Sequence, residues 1–251
     1  MNGLLAAQGN LYGAYLLGDI LTEAFLTDIN LEFTKTFNDQ LKMEKEQLEI
    51  LHASEAMFRE RSALLKLLAA YYQLDVYSEK TQVIEKAREH GYIDYYTQMP
   101  EIFANSKVNL NISLKAIRTG IPLRVTDVVG CGGFVLSNYQ EEILEYMHPS
   151  VDCEVYESLE DAYYKVEFYL KNEKIREKIA QNGLEQMELI FVDDVWDKIK
   201  EREKQYSENI IVIHCKDNGR QGRVRNIGMS YASGDYIAIV NYELYHYFVN
   251  G

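Results

Sequence analysis

The sequence predicts an α/β protein with a parallel sheet, and three observations carry the prediction. Residues 4–51 show helical periodicity and no strand, residues 108–114 alternate strictly between apolar and polar, and from about residue 70 onward strand-like runs take turns with helical stretches. Strands separated by helices imply βαβ units, because a parallel partner needs a crossover long enough to return to the same end of the sheet.

The first stretch places apolar residues at Leu16, Leu17, Ile20, Leu21, Ala24 and Phe25, then at Leu41, Leu48 and Leu51, the recurrence of two or more helices. A further helix is expected to start near Ser54, whose hydroxyl can accept from the N–H groups of a first turn, and to bury Met57, Leu64, Leu65 and Leu68. Leu74–Ser78 reads as a short strand. Val108–Leu114 has the period of a strand with one buried face, and Phe134–Leu136 and Cys153–Tyr156 read as buried parallel strands with a helix at Glu141–Met147 between them. Ser158-Leu159-Glu160-Asp161 resembles a capping box and opens a helix that buries Leu159, Ala162, Tyr163, Val166 and Tyr169. Glu173 to Gln181 forms another, with Asn182-Gly183 as its expected stop. The last third repeats the rhythm, with strands at Glu188–Val192, Asn209–Ile213 and Asp235–Val240 and helices at Trp196–Tyr206 and Arg223–Ala232.

Composition bounds the function. The chain has 251 residues, 47% of them hydrophobic, and only 3 prolines, which is ample for a real core and rules out disordered or collagen-like classes. Its net charge of −13 is spread along the chain, so the phosphate-neutralising attraction behind nucleic-acid and anionic-membrane binding has the wrong sign. A local basic cluster can still hold a small anion. Cys131, Cys153 and Cys215 form neither a CxxC pair nor a disulfide framework, which fits a reducing, cytoplasmic compartment. No Lys or Arg precedes Lys35, so the apolar N-terminus lacks the basic region of a signal peptide, and no apolar run approaches the ~18 residues of a membrane span.

Ligands of open α/β sheets bind where strand ends lead into helices, and that rule selects three segments. In Arg118-Thr119-Gly120-Ile121-Pro122-Leu123-Arg124-Val125-Thr126-Asp127, Gly120 admits close backbone approach and Pro122 suits the first position of a helix whose free N–H groups face an anion. Arg124 and Asp127 share a helix face, one suited to a phosphate and the other to a ribose; a plain loop with a surface ion pair accounts for the same residues. Asp193 and Asp194 end an apolar strand and can hold a base or ribose, or cap the next helix. Asn218-Gly219-Arg220-Gln221-Gly222-Arg223-Val224-Arg225-Asn226 gathers three arginines between a strand and a helix, which reads equally as an anion site or a solvated basic turn. Glu243 is the one carboxylate in Asn241-Tyr242-Glu243 that a divalent cation could use. The Gly130, Gly132, Gly133 cluster precedes a strand and reads as close packing, and no histidine has zinc spacing.

The stretch from Tyr92-Ile93-Asp94-Tyr95-Tyr96-Thr97-Gln98-Met99-Pro100 through Val108-Asn109-Leu110-Asn111-Ile112, running on from Arg118 to Asn138 and including Tyr156–Asp161, resembles the C-terminal domain of CgeB-like spore-maturation glycosyltransferases. The likeness extends from about residue 50 to Gly183. It implies a Rossmann-like, donor-binding half of a GT-B enzyme over residues 51–185, with residues 1–50 as a helical remnant of the preceding domain. By position, Asp127 takes the place of the second acid of the E-x7-E motif and holds the donor ribose, whereas Thr119 stands where the first acid falls. The resemblance further implies that Thr119 to Pro122 meets the diphosphate, that Arg118 belongs to the same loop, and that Arg124 neutralises leaving-group charge without a metal. Residues 186–251 resemble part of a family-2, GT-A-fold glycosyltransferase, on Val192-Asp193-Asp194, Asn218–Gly222, Arg225–Gly228 and Ala232–Ile237. That likeness implies donor contacts from Asp193, Asp194, Asn218, Arg225 and Asn226, and Mg²⁺ or Mn²⁺ at a degenerate site near Glu243.

Two functions follow as expectations. One is a glycosyltransferase-like protein that binds a nucleotide-sugar, a UDP-sugar by resemblance, for transfer to a cell-surface or spore glycan. The other is a truncated or fused, catalytically inactive nucleotide-binding or interaction module. Partial domains would also expose apolar faces and favour self-association.

Overall fold

The computed structural model describes residues 2–16, 27, 44–78, 84–95, 97–115, 120–186, 189–193 and 210–214. The chain divides into two compact units, residues 1–184 and 185–251.

Helix α1 (Asn2–Gly9) packs against α2 (Lys45–Tyr71), a helix of 27 residues, roughly 40 Å long at the standard rise. The sequence places a helix start at Ser54, but that residue lies inside α2. The start is Glu44, whose backbone N–H donates to Oε1 of Gln47 at 3.1 Å, and no Pro or Gly interrupts the 27 residues that follow. Leu48, Leu64 and Leu68 recur on its buried face, and α2 also packs against α6 (Leu159–Lys171).

A short parallel pair, β1 (Asp75–Tyr77) and β2 (Arg88–Gly91), forms one sheet. The main sheet is parallel and runs β3 (Asn109–Asn111), β4 (Val135–Asn138), β5 (Glu154–Tyr156) in that order, with Leu110 opposite Leu136 and Ser137 opposite Val155. Its crossovers contain α4 (Leu123–Gly130) after β3 and α5 (Glu141–Tyr146) after β4, and α6 follows β5. Helix α3 (Met99–Asn105) precedes β3, and α7 (Glu173–Gln186) closes the unit. The core joins Leu64 and Leu68 of α2 to Phe134, Leu136, Tyr156, Ala162, Val166, Tyr169 and Ile179. Phe134 and Tyr169 pack ring on ring, with centroids 4.5 Å apart. In the second unit, β6 (Leu189–Asp193) pairs in parallel with β7 (Ile210–His214), Leu189 opposite Ile210. The expected helices at 196–206 and 223–232 and the strand at 235–240 lie outside the described residues.

Three further local expectations change. The alternating stretch at 108–114 was expected to bury one face, yet Asn109, Asn111 and Ser113 are themselves buried. They survive burial because each finds partners: Asn109 Nδ2 donates to the carbonyls of Phe103 and Phe134 at 3.0 and 3.2 Å, and Asn111 Nδ2 donates to the hydroxyls of Ser113 and Ser137, both at 2.9 Å. Asn138 closes the ladder, accepting from the Ser113 N–H and donating to its carbonyl, both at 2.9 Å. Helix α7 runs through Asn182-Gly183 instead of stopping there. A Cβ on Gly183 would stand 2.5 Å from the Asp152 carbonyl oxygen and 3.0 Å from Cγ1 of Val129, so this glycine serves close approach. Pro122 is the residue before the first helical position of α4, one place earlier than expected. Ser158 does cap α6, its Oγ accepting from the Asp161 N–H at 3.0 Å. Gly133 is a packing glycine too, with the Phe103 carbonyl oxygen 2.6 Å from where its Cβ would be.

Candidate functional site

The loops at the carboxyl ends of β3 and β4 converge. Gly120, in the β3–α4 loop, has φ +93°, a left-handed conformation that suits glycine, and among the described residues nothing lies within 4 Å of where a side chain would begin. Its backbone N–H donates to Oε2 of Glu142, on the helix that follows β4. Ile121 and Pro122 are half-buried and lead into α4.

Helix α4 buries Val125, Val128 and Val129 against the sheet, which turns Arg124 and Asp127 toward its outer side. Asp127 is half-buried and accepts a hydrogen bond from the phenolic hydroxyl of Tyr95. Desolvation holds its carboxyl above the usual carboxylate range, against the downward pull of the Tyr95 bond and of the Arg124 charge. Burial, with the Asp127 charge as a smaller cause, likewise pushes up the Cys131 thiol one turn on. Exposed Arg124 lies over two rings, its guanidinium carbon 5.6 Å from the Tyr95 centroid and 5.3 Å from that of Phe103.

Tyr95 is held by a turn built on Asp94, whose Oδ1 accepts from both the N–H and the hydroxyl of Thr97, at 2.7 and 2.6 Å, while Gln98 Oε1 accepts from the Asp94 N–H at 2.8 Å. Tyr95 and Glu142 are the site residues that sequence spacing does not reveal. They stand 32 and 22 residues from their partners, and only the fold brings them there.

The same unit holds a buried ionic cluster. Lys115 Nζ sits 3.3 Å from Glu60 Oε2, with the two side chains 4% and 2% exposed. It donates to the carbonyls of Gln8, Gly9 and Leu11 at 3.2, 2.8 and 3.2 Å and lies 3.7 Å above the centre of the Tyr12 ring. Tyr12 and Tyr156 both donate to Glu60 Oε1 at 3.0 Å. Burial, reinforced by the Glu60 charge, pushes both phenols well above the ordinary tyrosine value, and burial lowers the Lys115 ammonium.

The predicted site residues divide accordingly. Arg124 and Asp127 lie together beside Tyr95 on α4, and Gly120, Ile121 and Pro122 form the turn that leads into that helix. Asp193 is the last residue of β6, in register with His214. Arg118, Thr119, Asp194, Asn218, Arg225, Asn226 and Glu243 lie outside the described residues. Among the described residues no group of three or more His, Cys, Asp or Glu is placed to hold a metal ion, and no helix is long and apolar enough to cross a membrane.

The fold is a parallel α/β unit that carries polar groups on the loop and helix following β3. The chain belongs to the glycosyl transferase-like family, whose model matches residues 46–190, more than half its length. The model described as glycosyl transferase family 2 matches residues 172–246. Among solved structures, the C-terminal domain of a glycosyl transferase group 1 family protein from Francisella tularensis is similar at 15% identity and a TM-score of 0.41, covering 50% of this chain and 75% of that one. No curated protein matches the chain.

Proposed function

We propose that residues 46–190 bind a nucleotide-sugar donor, a UDP-sugar, for glycosyl transfer to a cell-surface or spore glycan. The observation that carries this reading is Asp127: a half-buried carboxylate at the ligand face that holds a hydroxyl, the chemistry a ribose needs. The backbone from Gly120 to Pro122, with Arg118 and Thr119 before it, meets the diphosphate. Arg124 faces the charge that develops there as the glycosidic bond breaks, and this division of labour needs no bound metal. Calorimetric titration of the full chain with UDP and UDP-glucose tests the reading. Saturable binding that disappears in Asp127→Ala with Arg124→Ala supports it, whereas absent binding, or binding unchanged in that variant, overturns it.

A second reading, a nucleotide-binding or interaction module without transferase activity, is favoured by Thr119, a hydroxyl where a related enzyme's first acid would fall. Detectable transfer or donor hydrolysis by the purified chain overturns it. In the second unit, Asp193, Asp194, Asn218, Arg225 and Asn226 are proposed as further donor contacts, with Mg²⁺ or Mn²⁺ at Glu243. Cytoplasmic location and self-association belong to the same proposal, and a monodisperse monomer in light scattering would remove the latter.

A further inference from the structure

We propose that Glu142 and Tyr95 are internal stand-ins for the donor, a carboxylate on the Gly120 N–H where a phosphate would bind and a phenol on Asp127 where a ribose hydroxyl would bind, so that a nucleotide-sugar must displace both. The inference rests on the donor reading above and adds a regulation of the same site.

Both contacts are made between separate elements. Glu142 belongs to α5, behind β4, and reaches across to the loop behind β3; Tyr95 comes from the turn before α3 and reaches α4. Each supplies a group of the same kind as the part of the ligand it replaces. A carboxylate and a phosphate are both anionic oxygen acceptors, and one backbone N–H pointing at one of them is not available to the other. Two anions brought to the same donor also repel. A phenol and a ribose hydroxyl are both O–H donors to a carboxylate. Among the described residues nothing lies within 4 Å of where a Gly120 side chain would begin, which leaves room for a ligand to approach this backbone. Donor affinity is therefore set by a competition inside the protein, and it falls by the fraction of time the site holds its own groups.

Calorimetry on the full chain with two probes, UDP and inorganic pyrophosphate, separates the parts. Glu142→Gln removes the competing charge and is expected to tighten both probes by at least about fivefold, the scale of one unit-charge pair a few ångströms apart in water. Glu141→Gln makes the same charge change one residue away on an exposed side chain and is expected to leave both within about twofold, since an exposed charge contributes little. Tyr95→Phe is expected to tighten UDP and leave pyrophosphate unchanged, because only UDP carries a ribose. UDP binding that Glu142→Gln leaves unchanged or weakens overturns the stand-in role while the donor reading stands. A gain in Glu141→Gln equal to that in Glu142→Gln assigns the effect to net charge and also overturns it. Absence of saturable UDP binding in every variant overturns the donor reading, and this inference with it.

Discussion

Replacing Lys115 by methionine keeps the length of the side chain and removes its charge, which leaves Glu60, 2% exposed, without its Lys115 partner. The loss is larger than one ion pair, since the same ammonium also ties the carbonyls of Gln8, Gly9 and Leu11 to the chain beyond β3. Breaking a buried pair by removing one partner costs about 3–5 kcal/mol, because the remaining charge has been taken out of water without compensation. At ~2–4 °C per kcal/mol for a unit of this size, the melting temperature should drop by about 6–20 °C. The assay is thermal unfolding of the full chain followed by circular dichroism, with the double variant Lys115→Met, Glu60→Gln beside it. Glutamine keeps an oxygen for the Tyr12 and Tyr156 hydroxyls while removing the orphaned charge, so the double variant should recover at least half of the loss. A single variant that melts within about 2 °C of wild type, or a double variant that melts lower than either single one, would refute a buried pair as the tie.

Gly183→Ala should destabilise by about 1–3 kcal/mol although alanine favours helix, because the added methyl meets the Asp152 carbonyl and forces α7 away; urea unfolding measures it. Asp127→Asn should abolish UDP binding without lowering the melting temperature at neutral pH. The raised carboxyl contributes stability below its unfolded value and loses it as pH rises through the folded one, so removing the charge relieves burial. For the same reason UDP binding should weaken with acid at a midpoint above that of an ordinary aspartate, in a calorimetric pH series. Stability should fall as pH rises past the ordinary tyrosine value of ~10, where the unfolded chain releases phenolic protons that Tyr12 and Tyr156 retain when folded. Lys115 works the other way, adding stability as pH rises toward its unfolded value. Urea midpoints across this window should decline less steeply in Tyr156→Phe than in wild type.

Local periodicity and caps encode the parallel α/β class, the strands at β3, β4 and β5, the Ser158 cap, and the turn from Gly120 into the helix that carries Arg124 and Asp127. Arg124 and Asp127 were legible because a spacing of three places side chains on one helix face whatever surrounds them. Tertiary structure alone decided the rest, since the deciding partners are far apart in the chain. Alternation at 108–114 announces a strand but not that its polar residues Asn109 and Asn111 are buried onto carbonyl and hydroxyl partners from outside the strand. Asn182-Gly183 has the composition of a stop, but the nearby Asp152 carbonyl uses the missing side chain as room for packing and lets the helix continue. Tyr95 on Asp127, Glu142 on Gly120 and Lys115 on Glu60 pair groups 22 to 55 residues apart. No helical or strand period spans such distances; only tertiary packing brings these residues together.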